Sequence, residues 1–566
     1  MSATPGPFDP ARALGEAVSL QRRGQVREAE KICARVLKAL PDHFDALNLL
    51  GTVKAQQGRF GEAQRLFAAA AKINPRSAQA WSNLGQALYA LKQPAQALES
   101  LAKAVALAPD DPAILGQHAN VLLALGRPSE ALAEFRKALT RAPQHIEARM
   151  GSGAAQAALG YHEQALTEFD AALKAAPGHP GVQYNRGVAL LNLRRYPEAI
   201  AAYDAALAAV PGHANAWLNR GRALAQLNRH DEAIESYDRA LAIHKDQADA
   251  RFNKALSLLA RGNYALGFAE YEYRWRRTGM PPQPGRGRPL WRGEYLLAHK
   301  TILLHAEQGL GDTIQFARYA PLVAAAGATV VLEVQPELKS LLARLGGATT
   351  VMARGEPLPP FDVHAPLGSL PLALKTEPST VPPQIPYLSV DEAQVAKWSN
   401  RLGTLPQPRI AIVWLGNPTH DNDRNRSIEL ARLAPLFDVP ASFVSVQRDV
   451  RGEDAEMLAT EKRITHIGGD LTDFTDTAAV LALCDLVIGV DTSVVHLAGA
   501  MGRPVWVLVP FAPDWRWGLK GETTLWYPTA RLFRQTAFDD WDSVIASVAH
   551  ELRRFVQRIG ENAAGK

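Results

Sequence analysis

Cysteine is nearly absent from this 566-residue sequence. Cys33 and Cys484 are too few and too far apart for a disulfide framework or a cysteine zinc site, and such sparse usage fits a reducing compartment. No apolar run approaches the roughly 20 residues of a membrane-spanning helix, so no membrane span is expected. The opening MSATPGPFDPARALGEAVSL lacks a basic segment followed by an apolar one, so export is not signalled and a cytoplasmic location is expected. A basic block of the kind that binds nucleic acid is missing too: the formal net charge is +5 despite a pI near 9.0, and nucleic acid is not an expected partner. What is present, 47% hydrophobic and 21% charged residues, describes a globular chain too long for one core and implies at least two units.

A repeat fills the first half. Pro41, Pro75, Pro109, Pro143, Pro177 and Pro211 are each 34 residues apart, and Lys245 takes the seventh place. Ten residues after these positions stand Gly51, Gly85, Ala119, Gly153, Gly187, Gly221 and Ala255, small residues that let two helices approach closely. Twenty-two residues on come Ala63, Ala97, Ala131, Ala165, Ala199 and Ala233, and four further on a large apolar residue: Phe67, Leu101, Phe135, Phe169, Tyr203 and Tyr237. One such unit, WSNLGQALYALKQPAQALESLAKAVALAP, resembles the tetratricopeptide repeat, an antiparallel helix pair that buries its apolar face only by stacking on its neighbours. Six clear repeats run from about 42 to 245, with one divergent pair before and one after as candidate caps, so an all-α superhelix with a concave groove is expected over residues 8–277.

Asn83, Asn185, Asn219 and Asn253 share one repeat position, on the first helix of each pair; Leu49, Gln117 and Gly151 interrupt the column. A polar helix position bonded to a neighbouring helix accounts for them. They also match the asparagine ladder that holds the target peptide in O-linked N-acetylglucosamine transferases, and that resemblance implies an acceptor protein or peptide in the groove.

The period stops after YEYRWRRTG, and MPPQPGRGRPLWRGEYLLAHK reads as a linker over 278–297. Beyond it, apolar β-branched runs alternate with helical stretches: TILLHA, TVVLEVQ and FDVHAPLG, then RIAIVWLG, SFVSVQ, RITHIGG, CDLVIGVD and PVWVLVP. Parallel sheets covered on both faces follow, in two Rossmann-like halves over 298–400 and 401–566. Helices are expected over DTIQFARYAPLVAAAG, PELKSLLARLG, SIELARLAPLF, TDTAAVLAL and TSVVHLAGAMG.

Three stretches can carry chemistry. In HAEQGLGDTIQFARYAP, Gly309, Gly311 and Asp312 lie between strand and helix; Asp312 reads either as a helix cap or as an acid taking a proton from an attacking hydroxyl. In GVDTSVVHLAGAMGRPVWVLVP, Asp491, Thr492 and Ser493 open a helix whose free N–H groups suit a phosphate, with His496 in its interior. In WLGNPTHDNDRNRSIEL, Arg424 and Arg426 precede a helix, where an arginine could neutralise a leaving phosphate. The pairs Asp421/Asp423 and Asp540/Asp542 read as solvated acids of loop and helix, not as a metal site.

GLGDTIQFARYAPL resembles the glycine-acid turn of the heptosyltransferases of glycosyltransferase family 9, and VDTSVVHLAGAMGRPVWVLVP resembles their D-T-x-x-x-H-L-A-x-A-x-G-x-P signature. That resemblance implies a GT-B fold, inversion at the anomeric carbon and a nucleotide-sugar donor without a metal or other cofactor. It also implies Asp312 as base and Asp491, Thr492, Ser493 and His496 in the donor turn, with Gly309, Gly311 and Arg426 beside the phosphates. Superhelix followed by GT-B also resembles bacterial flagellin glycosyltransferases, which implies protein O-glycosylation at Ser or Thr. A lipid-linked or polysaccharide acceptor, and a scaffold with a vestigial domain, are the alternatives.

Overall fold

The computed structural model describes residues 9–277, 287–420 and 422–564; the expected linker's residues 278–286 and Asp421 lie outside them. The chain forms two compact units, 1–223 and 224–566.

In the first unit, helices Pro10–Arg22 to Tyr196–Ala209 follow one another as hairpins, each packed on the next. The small column works as expected. A Cβ on Gly51, Gly85, Gly153 or Gly187 would come within about 2.6 Å of Phe67, Leu101, Phe169 or Tyr203, sixteen residues on, so only a hydrogen lets the aromatic or leucine pack there. Two further columns emerge. Two residues after the repeat boundary, His43, His145, His179 and His213 each accept a backbone N–H on Nδ1, capping the first helix as Ser77 and Asp111 do through oxygen. Six residues after it, Trp81, Arg149, Gln183 and Trp217 each donate to the boundary proline's carbonyl and close the inter-repeat turn.

The asparagine column is half-buried throughout. Asn83 accepts from Gln79 one turn earlier, Asn219 donates to the Tyr184 hydroxyl of a neighbouring helix, and Asn253, in the second unit, donates to the Asp249 carbonyl.

The second unit begins with the last hairpins and continues into two parallel sheets. In the first, β1 (Thr301–His305), β2 (Thr329–Val334), β3 (Ala348–Ala353) and β4 (Val363–Pro366) take the order β3-β2-β1-β4. In the second, β5 (Arg409–Val413), β6 (Ser442–Ser445), β7 (Ile464–His466), β8 (Leu486–Val490), β9 (Val505–Val509) and β10 (Ala530–Arg534) take the order β10-β9-β8-β5-β6-β7. That is the doubly wound order, with its reversal between β5 and β8. Helical repeats followed by two such sheets make the expected GT-B plan.

Several elements differ from expectation. β3 and β10 are additional strands: β3 is a largely exposed edge, and β10 reads ARLFR, so neither shows a buried β-branched run. The stretch expected as one helix over 312–327 is two, Leu310–Ala317 and Ala320–Ala325, with Pro321 inside the first turn of the second. The helices expected over PELKSLLARLG and SIELARLAPLF shrink to single turns, Lys339–Leu342 and Ala434–Phe437, each preceded by a 3-10 turn. Residues 289–291 run beside β4: the Trp291 N–H bonds the His364 carbonyl and the His364 N–H bonds that of Pro289, while Trp291 and Leu297 are buried.

The last hairpin packs within this unit. Tyr264 and Phe268, on helix Tyr264–Tyr271, meet Trp515 edge-on, and Tyr264 stacks over Trp526. Arg274, just beyond, enters the carboxyl end of the first sheet: it bonds Glu307 after β1, Ser369 after β4, and Glu272. The crevice where the first sheet's strand order reverses is thus filled by the chain's own ion pairs.

Candidate functional site

The two turns singled out in the sequence, nearly two hundred residues apart, meet. Gly309 ends the loop after β1, and Asp312, in the first turn of helix Leu310–Ala317, accepts the Gly309 N–H at 3.0 Å. The capping reading of Asp312 therefore holds in altered form: it closes the turn from inside the helix. Its other oxygen is ion-paired with Arg516, whose second arm reaches Asp514 at 2.9 Å and whose Nε donates to Gln315. Gly311 has no room for a side chain, because a Cβ would lie 2.9 Å from His496 Cδ2 and 3.5 Å from Ser493 Cα. Its role is close approach between two helix starts, which the spacing of the glycines alone did not reveal.

The second turn follows β8. Thr492 caps helix Ser493–Ala500 through its extended backbone, but its side chain makes no capping bond and its hydroxyl has no partner. No side chain caps this helix start, and its positive end suits an anion. Asp491 faces His496 Nε2 at 3.5 Å. Burial pushes the Asp491 carboxyl up, but His496, Arg426 and the Trp517 indole together hold it well below the usual carboxylate range. His496 Nδ1 lies 2.9 Å from the Tyr527 hydroxyl, and its ring packs against both Trp517 and Tyr527.

Arg426 spans the reversal point of the second sheet. From the one-turn helix Asp423–Arg426, ahead of the helical turns from Leu430 to Phe437, its Nη1 donates to the Asp491 carbonyl at 2.8 Å. Its Nε makes no hydrogen bond, whereas Arg424 on the opposite side is exposed. Asp423, expected to be solvated, is instead buried, bonded by Ser427 and Arg451 and beside Arg426; three cationic or hydroxylic neighbours make burial of that carboxylate tolerable. Gly416 is required there, since a Cβ would fall within about 2.7 Å of Asp423 and Arg426. Asp540 accepts from Ser543 at the start of the last helix, in keeping with a capping acid.

Gly309, Gly311, Asp312, Arg426, Asp491, Thr492, Ser493 and His496 therefore belong to one neighbourhood at the carboxyl ends of β1, β5 and β8. Sequence reading missed Arg516, Trp517, Tyr527, Asp423 and Arg451. The run DWRWG, a few residues beyond β9, was the signal available for the first two.

Comparison with known proteins gives two family matches. Residues 14–63, 50–112, 117–180 and 184–248 match the tetratricopeptide repeat family, and residues 441–509 match glycosyltransferase family 9 (heptosyltransferase). The family 9 match thus follows the tetratricopeptide matches along the chain. The matched stretch runs from β6 to β9 and includes Asp491, Thr492, Ser493 and His496, while Asp312 and Arg426 lie outside it. Protein FlbA of Caulobacter vibrioides is 29% identical over 330 residues, covering 53% of this chain and 54% of FlbA, so the similarity spans about half of each. Among solved structures, a tetratricopeptide repeat protein of Parabacteroides merdae is 16% identical over 44% of this chain and 98% of its own (TM-score 0.38). A thermophilic repeat protein of Thermus thermophilus is 28% identical over 32% of this chain and 100% of its own (TM-score 0.30). Among the described residues no helix is long and apolar enough to cross a membrane.

Proposed function

We propose that this protein transfers a sugar, with inversion and without a metal, from a nucleotide-sugar to a serine or threonine hydroxyl of an acceptor protein held by its helical repeats, a flagellin-type protein being one candidate. The observation that carries the reading is the meeting of the Asp312 turn with the Asp491–Ser493 turn at Gly311. The donor diphosphate lies at the uncapped start of helix Ser493–Ala500, between Arg426 and His496, where N–H groups and a guanidinium take up the charge that develops as the nucleotide leaves. Asp312, partly exposed and fixed by Gly309 and Arg516, receives the acceptor proton as the hydroxyl oxygen bonds the anomeric carbon and the bond to phosphate breaks.

The heptosyltransferase family match favours a second reading, a carbohydrate acceptor, with the repeats serving to dock the enzyme elsewhere. A panel of UDP, GDP, CMP and their sugar conjugates, followed by thermal melting of wild type and Arg426→Ala, tests the donor site. A ligand at 100 times its Kd raises stability by about 2.7 kcal/mol. A shift in the wild type that weakens in the variant supports the site, and no shift with any nucleotide removes it. With a donor identified, Asp312→Asn should bind it normally and transfer nothing.

A further inference from the structure

His496 is held at both ring nitrogens, and the groups that hold it form a line through the protein. On one side stands the Asp491 carboxylate, an acceptor only, 3.5 Å from Nε2. On the other is the Tyr527 hydroxyl, 2.9 Å from Nδ1 and fully buried. Tyr527 is locked onto the same helix one turn beyond His496: a Cβ on Gly499 would lie 2.4 Å from its ring. Behind Tyr527 lies Arg318, 3% exposed, its guanidinium carbon 5.2 Å from the Tyr527 ring and 4.8 Å from that of Tyr387. Arg318 donates one bond, from Nη2 to the Trp526 carbonyl at 2.8 Å, while Nε and Nη1 have no hydrogen-bond partner. A guanidinium buried without a carboxylate acts chiefly through its field, and here that field polarises the Tyr527 O–H.

We infer that Tyr527 is a positioning residue for the transfer site: its O–H donates to His496 Nδ1, which fixes the neutral imidazole as the Nε2–H tautomer and aims that N–H toward Asp491 and the start of helix Ser493–Ala500. The chemistry is mutually consistent. A neutral imidazole that turns its one N–H toward the carboxylate has a bare Nδ1, and that nitrogen accepts the phenol's proton. Burial pushes the Tyr527 hydroxyl well above its usual range, so it stays protonated and able to donate. The 3.5 Å contact with Asp491 is long, so the Nε2–H can turn to a ligand oxygen. The functional half of this inference rests on the donor site proposed above.

The test uses full-length protein labelled with nitrogen-15 in its histidine rings and observed at pH 8, with the His496 signals assigned by their loss in His496→Gln. The wild type should show one tautomer, with Nδ1 bare and Nε2 protonated. In Tyr527→Phe the Nδ1 signal should move toward that of a free, unbonded nitrogen and a second tautomer should appear. An Nδ1–H tautomer in the wild type overturns the proposal whether or not the variant folds, as does an unchanged ring spectrum in Tyr527→Phe. Titration with inorganic pyrophosphate reads the functional half. Tyr527→Phe should weaken binding about tenfold, and equal binding by both proteins overturns the positioning role. Absence of binding by the wild type removes the donor site, and with it the functional half, while the tautomer result stands by itself.

Discussion

Gly311 and His230 show how single side chains are set by what surrounds them. At Gly311 the missing Cβ is what lets the Asp312 helix reach His496 and Ser493, so Gly311→Ala should cost about 1–3 kcal/mol and also reduce nucleotide binding. Denaturant unfolding beside a nucleotide titration measures both; a variant as stable and as tight as the wild type would contradict the close approach. His230 is buried against Ser257, and burial, assisted by the Arg261 charge, pushes its imidazole down to about 4. Unfolded, it titrates near about 6.5, so between these values the unfolded chain binds more protons and stability falls as pH is lowered through that window. The contribution is at most about 3 kcal/mol. Tyrosine stands at the same repeat position at Tyr196 and Tyr264, so His230→Tyr should flatten this acid limb, as read by urea midpoints at pH 7 and pH 4.5.

Among elements, the first helices of the repeats carry a device that composition hid. His43, His145, His179 and His213 accept a backbone N–H where Ser77 and Asp111 use oxygen, so each needs a bare Nδ1. Replacing any one by Ala should cost about 1 kcal/mol and by Asp very little, measured as shifts in the urea midpoint of the repeat region. The repeats themselves were legible because every unit must solve the same packing problem: a small residue opposite a large one sixteen positions on shows as a period. The sheets were legible through their buried β-branched cores. β3 and β10 were not, because an edge strand has an exposed face and needs no such run. Pro321 and Pro435 each start a new turn inside a stretch whose apolar spacing runs on past them, so those stretches read as single longer helices.

For the whole molecule, residues 224–277 belong with the sheets: Tyr264 and Phe268 pack on Trp515 and Trp526, Arg274 fills the first sheet's crevice, and Tyr271 bonds Gln308 beside the Asp312 turn. Removing 1–223 should therefore leave a folded protein that still binds its nucleotide, whereas removing 1–270 should give an insoluble or nucleotide-blind one, checked by melting and nucleotide titration of the two truncations. The shorter truncation also separates protein from carbohydrate acceptors, since transfer to a carbohydrate should survive loss of the repeats. By itself the sequence determined the repeat, the change of architecture after it and the two turns that bear the candidate site, because periodicity and strand-turn-helix order are local and written along the chain. Only the tertiary structure decided that the turns touch through Gly311, that Arg516 and Tyr527 stand behind Asp312 and His496, and that Asp423 is buried. Those are contacts between residues far apart in sequence, set by how strand ends converge and not by any pattern of neighbours.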